Sequence, residues 1–231
     1  EAAKIPENFK YAITDTDEML EAVQNWYKRR YDVELEKDEI MSLYGSQEGI
    51  SRVALTIANP GDTVPVPNPG YPVFELGPLL NDAHIEYYEL REENNYLIDF
   101  DSIPEEVAKK AKAIIVSYPA NPICRLAPVS FYKELIAWAN KYNVIVLHDN
   151  AYSELVYDGK RGISFLSVEG AKEIGIEFNS LSKTYNLTGA RISFAVGNKE
   201  IISQFKKLRS QIDYGIFLPV QKAAVAALNG P

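Results

Sequence analysis

The sequence predicts an α/β fold built on an open, mostly parallel sheet. Segments with helical periodicity alternate along the chain with short apolar segments, which is typical of a parallel sheet covered by helices. Residues 113–117 and 144–147 are apolar without alternation, as in strands that are buried on both faces. The chain has 231 residues, of which 46% are hydrophobic, so it can bury one sizeable core.

The elements are predicted in order from the N-terminus. A first helix begins at Asp15 and carries Leu20, Val23 and Tyr27 on one face. The next elements are a helix over 46–58, a turn at 59–62, a strand at 63–67, a helix at 72–80 and a strand at 85–90. The two buried strands follow, and between them lies a helix whose apolar stripe consists of Phe131, Leu135, Trp138 and Tyr142. After the second buried strand come strands at 174–178 and 192–196 and a helix at 199–210. One sheet is expected over roughly 47–215.

Composition excludes several classes of function. Lys and Arg number 24 against 32 Asp and Glu, and this net charge of −8 disfavours nucleic acids and anionic membranes as partners. A single cysteine, Cys124, excludes an internal disulfide, and two histidines leave little material for a metal site. The sequence contains neither a run of 18 apolar residues nor a signal-peptide pattern, so a cytoplasmic protein is expected.

Polar residues that follow apolar strands are the candidates for chemistry, since ligands of open α/β sheets bind at the carboxyl ends of strands. Asp149 and Tyr152 follow one buried strand, and Asn121 follows the other. Asp149 could hold a cationic ring nitrogen, a metal or an arginine, or could instead cap a helix. The stretch 180–191 places Ser180, Ser182 and Lys183 directly after a strand and Arg191 at its end, which suits a nucleophilic amine beside a phosphate site; a solvated loop is the alternative.

The start of the second helix is a candidate phosphate cradle. Gly45, Ser46 and Gln47 open this helix, where free backbone N–H groups and the helix dipole attract anions. A simple Gly-Ser helix cap explains the same residues, so this motif alone does not decide between the two.

Five separated motifs together resemble those of class I and II (fold-type I) aminotransferases. They are Gly45-Ser46-Gln47, the segment 68–72 with Tyr71, the turn 118–122 with Asn121, the pair Asp149 and Tyr152, and the stretch 180–191 around Lys183. The resemblance implies a three-layer α/β/α domain with a mixed, seven-stranded sheet. It also implies pyridoxal 5′-phosphate as the cofactor.

The resemblance further implies a role for each candidate. Lys183 is expected to form a Schiff base with the cofactor aldehyde and to move a proton, and Asp149 to pair with the pyridine nitrogen. Tyr152 and Asn121 are expected to contact the phenolic oxygen. Tyr71 is expected to stack on the ring. The expected phosphate ligands are Gly45, Ser46, Gln47, Ser180, Ser182 and Arg191.

The same resemblance divides the chain into parts. Residues 1–40 are expected to be a partial N-terminal segment with a small-domain remnant and the first large-domain helix. Residues 41–231 are expected to be the cofactor-binding large domain, and the C-terminal small domain to be absent. That domain carries the family's arginine for the substrate carboxylate, so weak or no activity is expected of this chain by itself.

Amino transfer between an amino acid and a 2-oxo acid, in a homodimer, is the expected function. Tyr11 resembles the tyrosine that reaches the phosphate of the neighbouring subunit. The residues around Lys183 leave two alternatives open. One is a carbon–sulfur β-lyase that uses the same cofactor, and the other is a non-catalytic binding or dimerisation module.

Overall fold

The structure is a computed structural model that describes residues 1–230, and seven strands form its centre. Pro231, the predicted end of the large domain, lies outside the described residues. The strands are β1 (Ile40–Leu43), β2 (Thr63–Asn68), β3 (His84–Glu89), β4 (Ala113–Ser117), β5 (Ile145–Asp149), β6 (Gly175–Ser180) and β7 (Ser193–Gly197). The helices are α1 (Asp17–Tyr31), α2 (Ser46–Ile57), α3 (Val73–Leu79), α4 (Glu105–Lys110), α5 (Val129–Tyr142), α6 (Ala171–Ile174), α7 (Leu181–Thr184), α8 (Lys199–Arg209) and α9 (Leu218–Leu228).

The strands form a mixed sheet of five strands and, beside it, a parallel sheet of two. Five of them hydrogen-bond in the order β1-β7-β6-β5-β4, in which β4, β5 and β6 are parallel and β7 is antiparallel to both of its neighbours. The parallel pair β2 and β3 joins β4 through a bridge between Thr63 and Ala111, beside which Lys112 N donates to Thr63 O at 2.8 Å. The predicted α/β fold class is therefore confirmed.

Helices cover both faces of the five-stranded sheet. On one face the core includes Val23 of α1, Leu135 of α5 and Ala224 of α9. On the other it includes Val53 of α2 and Phe205 of α8. Alternate residues of β4 point into the two cores, which explains why the strand is apolar throughout. Each fully buried aliphatic side chain stabilises the fold by about 1.5–3 kcal/mol.

Helix α1 begins two residues later than the sequence predicts. Thr16 caps it by accepting a hydrogen bond from Met19 N at 3.2 Å, and Asp32, with φ 56°, ends it in the left-handed region. Asp15 instead accepts a hydrogen bond from Ser42 N at 2.9 Å and so ties the chain before α1 to β1. Within residues 1–230, no helix is both long and apolar enough to cross a membrane.

Strand β1 was not predicted, and the sheet therefore begins before the expected residue 47. Its four residues, Ile40–Leu43, pair with β7 and are all buried. The strand is too short to show a period, and it follows the charged segment 34–39, so the sequence gives it no distinct pattern.

The connection between β6 and β7 begins and ends at the carboxyl end of β6, because the two strands are antiparallel neighbours. Ser180 ends β6 and pairs directly with Ser193, the first residue of β7. Residues 181–192 thus form a loop whose two ends are adjacent strands, and this loop carries Lys183 and Arg191.

Candidate active site

All eleven residues that the sequence suggests for the site line one cavity. It lies where β4, β5 and β6 end and α2 begins, and its volume is about 590 Å³ including its open mouth. The eleven residues are Gly45, Ser46, Gln47, Tyr71, Asn121, Asp149, Tyr152, Ser180, Ser182, Lys183 and Arg191.

Lys183 lies on the short helix α7, directly after β6. The side chain of Ser180 caps this helix by accepting from Ser182 N at 3.2 Å. The ammonium nitrogen of Lys183 is 5.6 Å from the centre of the Tyr152 ring. Lys183 is exposed, so the described residues do not enclose its side chain. The amine is open to a ligand that enters the cavity.

Asp149 is the acidic end of the cavity. It is the last residue of β5 and is 7% exposed. Burial is the largest cause of a raised pKa of its carboxyl, which is about 6, and the charge of Glu177 also raises that pKa. The charge of His148 and a hydrogen bond from Ala151 N act in the opposite direction and lower it. A cation beside Asp149 would favour its ionised form, so the residue is suited to bind a positively charged group.

Tyr152 and Asn121 face the cavity between these groups. Burial is the largest cause of the raised pKa of Tyr152, followed by the charges of Asp149 and Tyr71, whereas a hydrogen bond with Asn121 lowers that pKa. The hydroxyl of Tyr71 donates to Gln47 Oε1 at 3.4 Å and so links the aromatic wall to the start of α2.

The part of the cavity that Gly45 and Arg191 line suits an anion. Gly45 precedes α2 with φ 99°, and no side chain among residues 1–230 caps the N-terminus of this helix. A Cβ atom on Gly45 would lie 2.3 Å from Arg191 Nη2, so glycine permits the backbone and the guanidinium to lie side by side. Arg191 also donates to Thr188 O at 2.9 Å and Tyr44 O at 3.4 Å, which fixes its head group beside Gly45.

Two further residues, Phe74 and Ala151, line the cavity and were not predicted. Phe74 lies one helical turn after Tyr71, with their ring centres 6.2 Å apart, and this spacing is the signal that could have indicated it. Ala151 lies between Asp149 and Tyr152 and has no functional group that a motif search would notice.

The other residues considered from the sequence lie elsewhere. Tyr11 is 76% exposed and does not line the cavity; its ring centre is 4.8 Å from that of Tyr214. Cys124 is exposed, and His84 is exposed on β3. His148 is buried and hydrogen-bonds with Glu177.

Comparison with known proteins gives consistent results. The sequence pattern of the family "Aminotransferase class I and II" matches residues 1–231. The LL-diaminopimelate aminotransferase of Aquifex aeolicus is 48% identical over 232 residues, a match that covers 100% of this chain and 60% of that protein. The enzyme of the same name from Dehalococcoides mccartyi (strain 195) is 45% identical over 231 residues, and this match covers 99% of this chain and 60% of that protein.

Solved structures agree with the fold. BacF from Bacillus subtilis, with substrate bound, has a TM-score of 0.96 at 36% identity, and the match covers 100% of this chain and 59% of that one. An aminotransferase from Staphylococcus aureus has a TM-score of 0.95 at 37% identity, with 99% and 61% of the two chains covered.

Proposed function

The chain belongs to the class I and II aminotransferase family, and we propose that it is the part of a transaminase that binds pyridoxal 5′-phosphate and carries the reactive lysine. Enzymes of this family depend on that cofactor. The chain spans about 60% of the length of the curated relatives that it matches. Amino transfer between an amino acid and a 2-oxo acid is therefore proposed for the whole protein. The single observation that carries the proposal is that Lys183, Asp149 and Arg191 line one cavity.

The chemistry of the cavity fits the cofactor at both of its ends. The pyridine nitrogen, a cation when protonated, would be held by Asp149, whose carboxyl is buried and has few partners of its own. The phosphate would be held by Arg191, the serine hydroxyls and the backbone N–H groups of Ser46 and Gln47. The space that Gly45 leaves beside Arg191 supports this reading, because a Cβ atom would fill it.

The remaining residues suit the middle of the cofactor. Asn121 and Tyr152 can both donate hydrogen bonds to the phenolic oxygen and so stabilise its negative charge. Tyr71 offers an aromatic face for stacking. Lys183, next to Tyr152, would bind the aldehyde carbon.

Proton transfer is the task that this chain's residues would perform. When bound, the cofactor supplies a conjugated ring that accepts the electron pair of the substrate α carbon. Once the substrate amine has displaced it from the aldehyde carbon, Lys183 Nζ would be free to take the proton from the substrate α carbon and to donate it to the cofactor carbon that had carried the aldehyde. Asp149 would keep the ring nitrogen protonated by its negative charge, and this proton makes the ring a better electron acceptor.

Absorbance and chemical trapping test this proposal on the chain itself. Pyridoxal phosphate added to the chain should give a new visible absorbance band, and borohydride should then fix the cofactor to Lys183, where peptide mass spectrometry would locate it. Lys183→Ala should abolish this label, whereas Lys160→Ala, which alters an exposed lysine that does not line the cavity, should leave it unchanged. A label on another lysine would contradict the assignment of Lys183.

LL-diaminopimelate is the amino donor that we propose for the whole protein. The proposal rests on relatives of that name at 42–48% identity. The whole protein should transfer an amino group from LL-diaminopimelate to one of a panel of 2-oxo acids faster than from other amino acids. Elimination of sulfide from sulfur-containing amino acids without amino transfer would instead support the β-lyase alternative.

A homodimer in the cytoplasm completes the proposal. Aromatic side chains at 9, 11, 214 and 217 are exposed and pack on one another in pairs, which supports an interface at this surface. Tyr11 would then reach the phosphate of the second subunit. In sedimentation experiments the whole protein should be a dimer, and Tyr11→Phe should weaken cofactor binding in the dimer; a monomer that binds the cofactor equally well would contradict this part.

A further inference from the structure

Glu177, a buried carboxylate on β6, lies behind the site but does not line its cavity. Its side chain is fully buried and accepts five hydrogen bonds. Its Oε1 atom accepts hydrogen bonds from Tyr27 Oη at 2.7 Å, Ser164 Oγ at 2.9 Å and Asn150 Nδ2 at 3.1 Å. Its Oε2 atom lies 2.8 Å from both His148 Nδ1 and Phe165 N. Tyr27, Ser164, Asn150 and Phe165 are donors in this arrangement, and His148 donates in the tautomer that carries its proton on Nδ1.

Two of the five donors are the sequence neighbours of Asp149. His148 precedes it on β5 and Asn150 follows it, and the side chains of both bind Glu177. The carboxylate of Asp149 itself accepts one hydrogen bond within the described residues, from Ala151 N at 3.3 Å. The position of Asp149 is therefore set mainly by the segment on which it lies.

Glu177 also belongs to the strand that leads to the lysine. It lies three residues before Ser180, which caps α7 and thereby places Lys183. One carboxylate thus joins the segment of Asp149 to the strand that carries Lys183, in addition to the backbone bond from Asn150 N to Phe178 O at 2.8 Å.

We propose that Glu177 is a positioning residue, which holds Asp149 at a fixed place relative to Lys183 by binding the side chains on both sides of Asp149. This inference rests on the proposed function only for the roles of Asp149 and Lys183. Tyr27 and Ser164 bind the same carboxylate from α1 and from the loop before residue 165, and they do not adjoin the site. Their hydrogen bonds would stabilise Glu177 without acting on Asp149 directly.

Asn150→Ala and Ser164→Ala form a matched pair for testing this inference. Each removes one donor to the same oxygen, Oε1, but only Asn150 adjoins Asp149. We expect Asn150→Ala to weaken binding of pyridoxal phosphate by about tenfold or more and Ser164→Ala by no more than about twofold. An equal loss in both variants, or no loss in either, would overturn the proposal.

A second readout needs no cofactor and so separates this inference from the proposed function. The carboxyl carbon of Asp149, followed by NMR and assigned with Asp149→Asn, should titrate near pH 6 in the unaltered chain. In Asn150→Ala the midpoint should fall by about half a unit or more, since a loosened segment admits water to the carboxyl, and in Ser164→Ala it should stay the same. Equal midpoints in all three chains would overturn the positioning role even if the cofactor binds. A chain that shows the expected midpoints but binds no cofactor would contradict the proposed function alone.

His148→Leu and Tyr27→Phe provide a second pair in case Asn150→Ala does not fold. His148 adjoins Asp149 and Tyr27 does not, and each donates to Glu177. The same difference is expected, with weaker cofactor binding only in His148→Leu. Equal binding in the two variants would overturn the proposal.

Discussion

Gly45→Ala should weaken binding of the cofactor in addition to destabilising the fold. The backbone at Gly45 has φ 99°, which costs a residue with a side chain about 1–3 kcal/mol. The added Cβ atom would also lie 2.3 Å from Arg191 Nη2, which is the flexible end of a long side chain. Because that end can move, the contact should displace the guanidinium rather than unfold the chain.

The displacement removes Arg191 from the proposed phosphate site. A hydrogen bond to a charged group contributes about 1.5–3 kcal/mol. Its loss corresponds to a cofactor affinity lower by about 10- to 100-fold. Titration of the chain with pyridoxal phosphate, followed by absorbance, measures this change, and urea unfolding of the cofactor-free chain measures the destabilisation.

Gly61→Ala is the matched control. Gly61 has φ 86°, but nothing lies within 4 Å of an added Cβ atom, so its substitution introduces strain without a steric contact. Both variants should be less stable by similar amounts, whereas only Gly45→Ala should bind the cofactor weakly. Equal affinities, or a much larger loss of stability in Gly45→Ala, would refute the reasoning.

Two further predictions concern the pH dependence and the core. Burial raises the pKa of Asp149 from its ordinary 3.8 to about 6, so the folded chain holds this proton more tightly than the unfolded chain does. As the pH rises from about 4 to about 6, this group should therefore lower the free energy of unfolding by roughly 3 kcal/mol. Asp149→Asn should therefore gain stability relative to the unaltered cofactor-free chain as the pH rises to 7 in urea unfolding, and a difference independent of pH would contradict the raised pKa. Leu135→Ala, at a fully buried position of α5, should lower the free energy of unfolding by about 2–5 kcal/mol, whereas Leu155→Ala, at an exposed position, should change it by less than about 0.5 kcal/mol; equal effects would contradict the assigned core.

The fold could be predicted where the sequence has strong periodicity or apolar runs. Strand β4 matches its prediction at 113–117 because it is buried on both faces, and α5 shows its buried stripe at helical spacing. Strand β1 lacks such a signal because it has four residues and depends on pairing with β7, which is distant in the sequence. Contacts of that kind are made by the tertiary structure and leave no local pattern.

The residues of the site were indicated by their motifs, but their supports were not. Lys183, Asp149 and Arg191 belong to recognisable segments, whereas Ala151 has no reactive group. The charge of Glu177 suggests a solvent-facing position from sequence alone, and only the structure brings this residue of β6 together with its five hydrogen-bond partners. The roles of the site residues remain predictions that the experiments above address.

The reversed direction of β7 has a consequence for how such a protein can change over time. Because Ser180 and Ser193 are paired, the two ends of the segment 181–192 lie at a fixed distance from each other. This segment is short, which limits the distance between the amine of Lys183 and the guanidinium of Arg191. Distant substitutions that tilt a helix or lengthen an outer turn leave this spacing unaltered. Asp149, on the neighbouring strand, lies on a separate segment of chain, so its distance from the amine depends on the pairing of β5 with β6 and on the hydrogen bonds to Glu177.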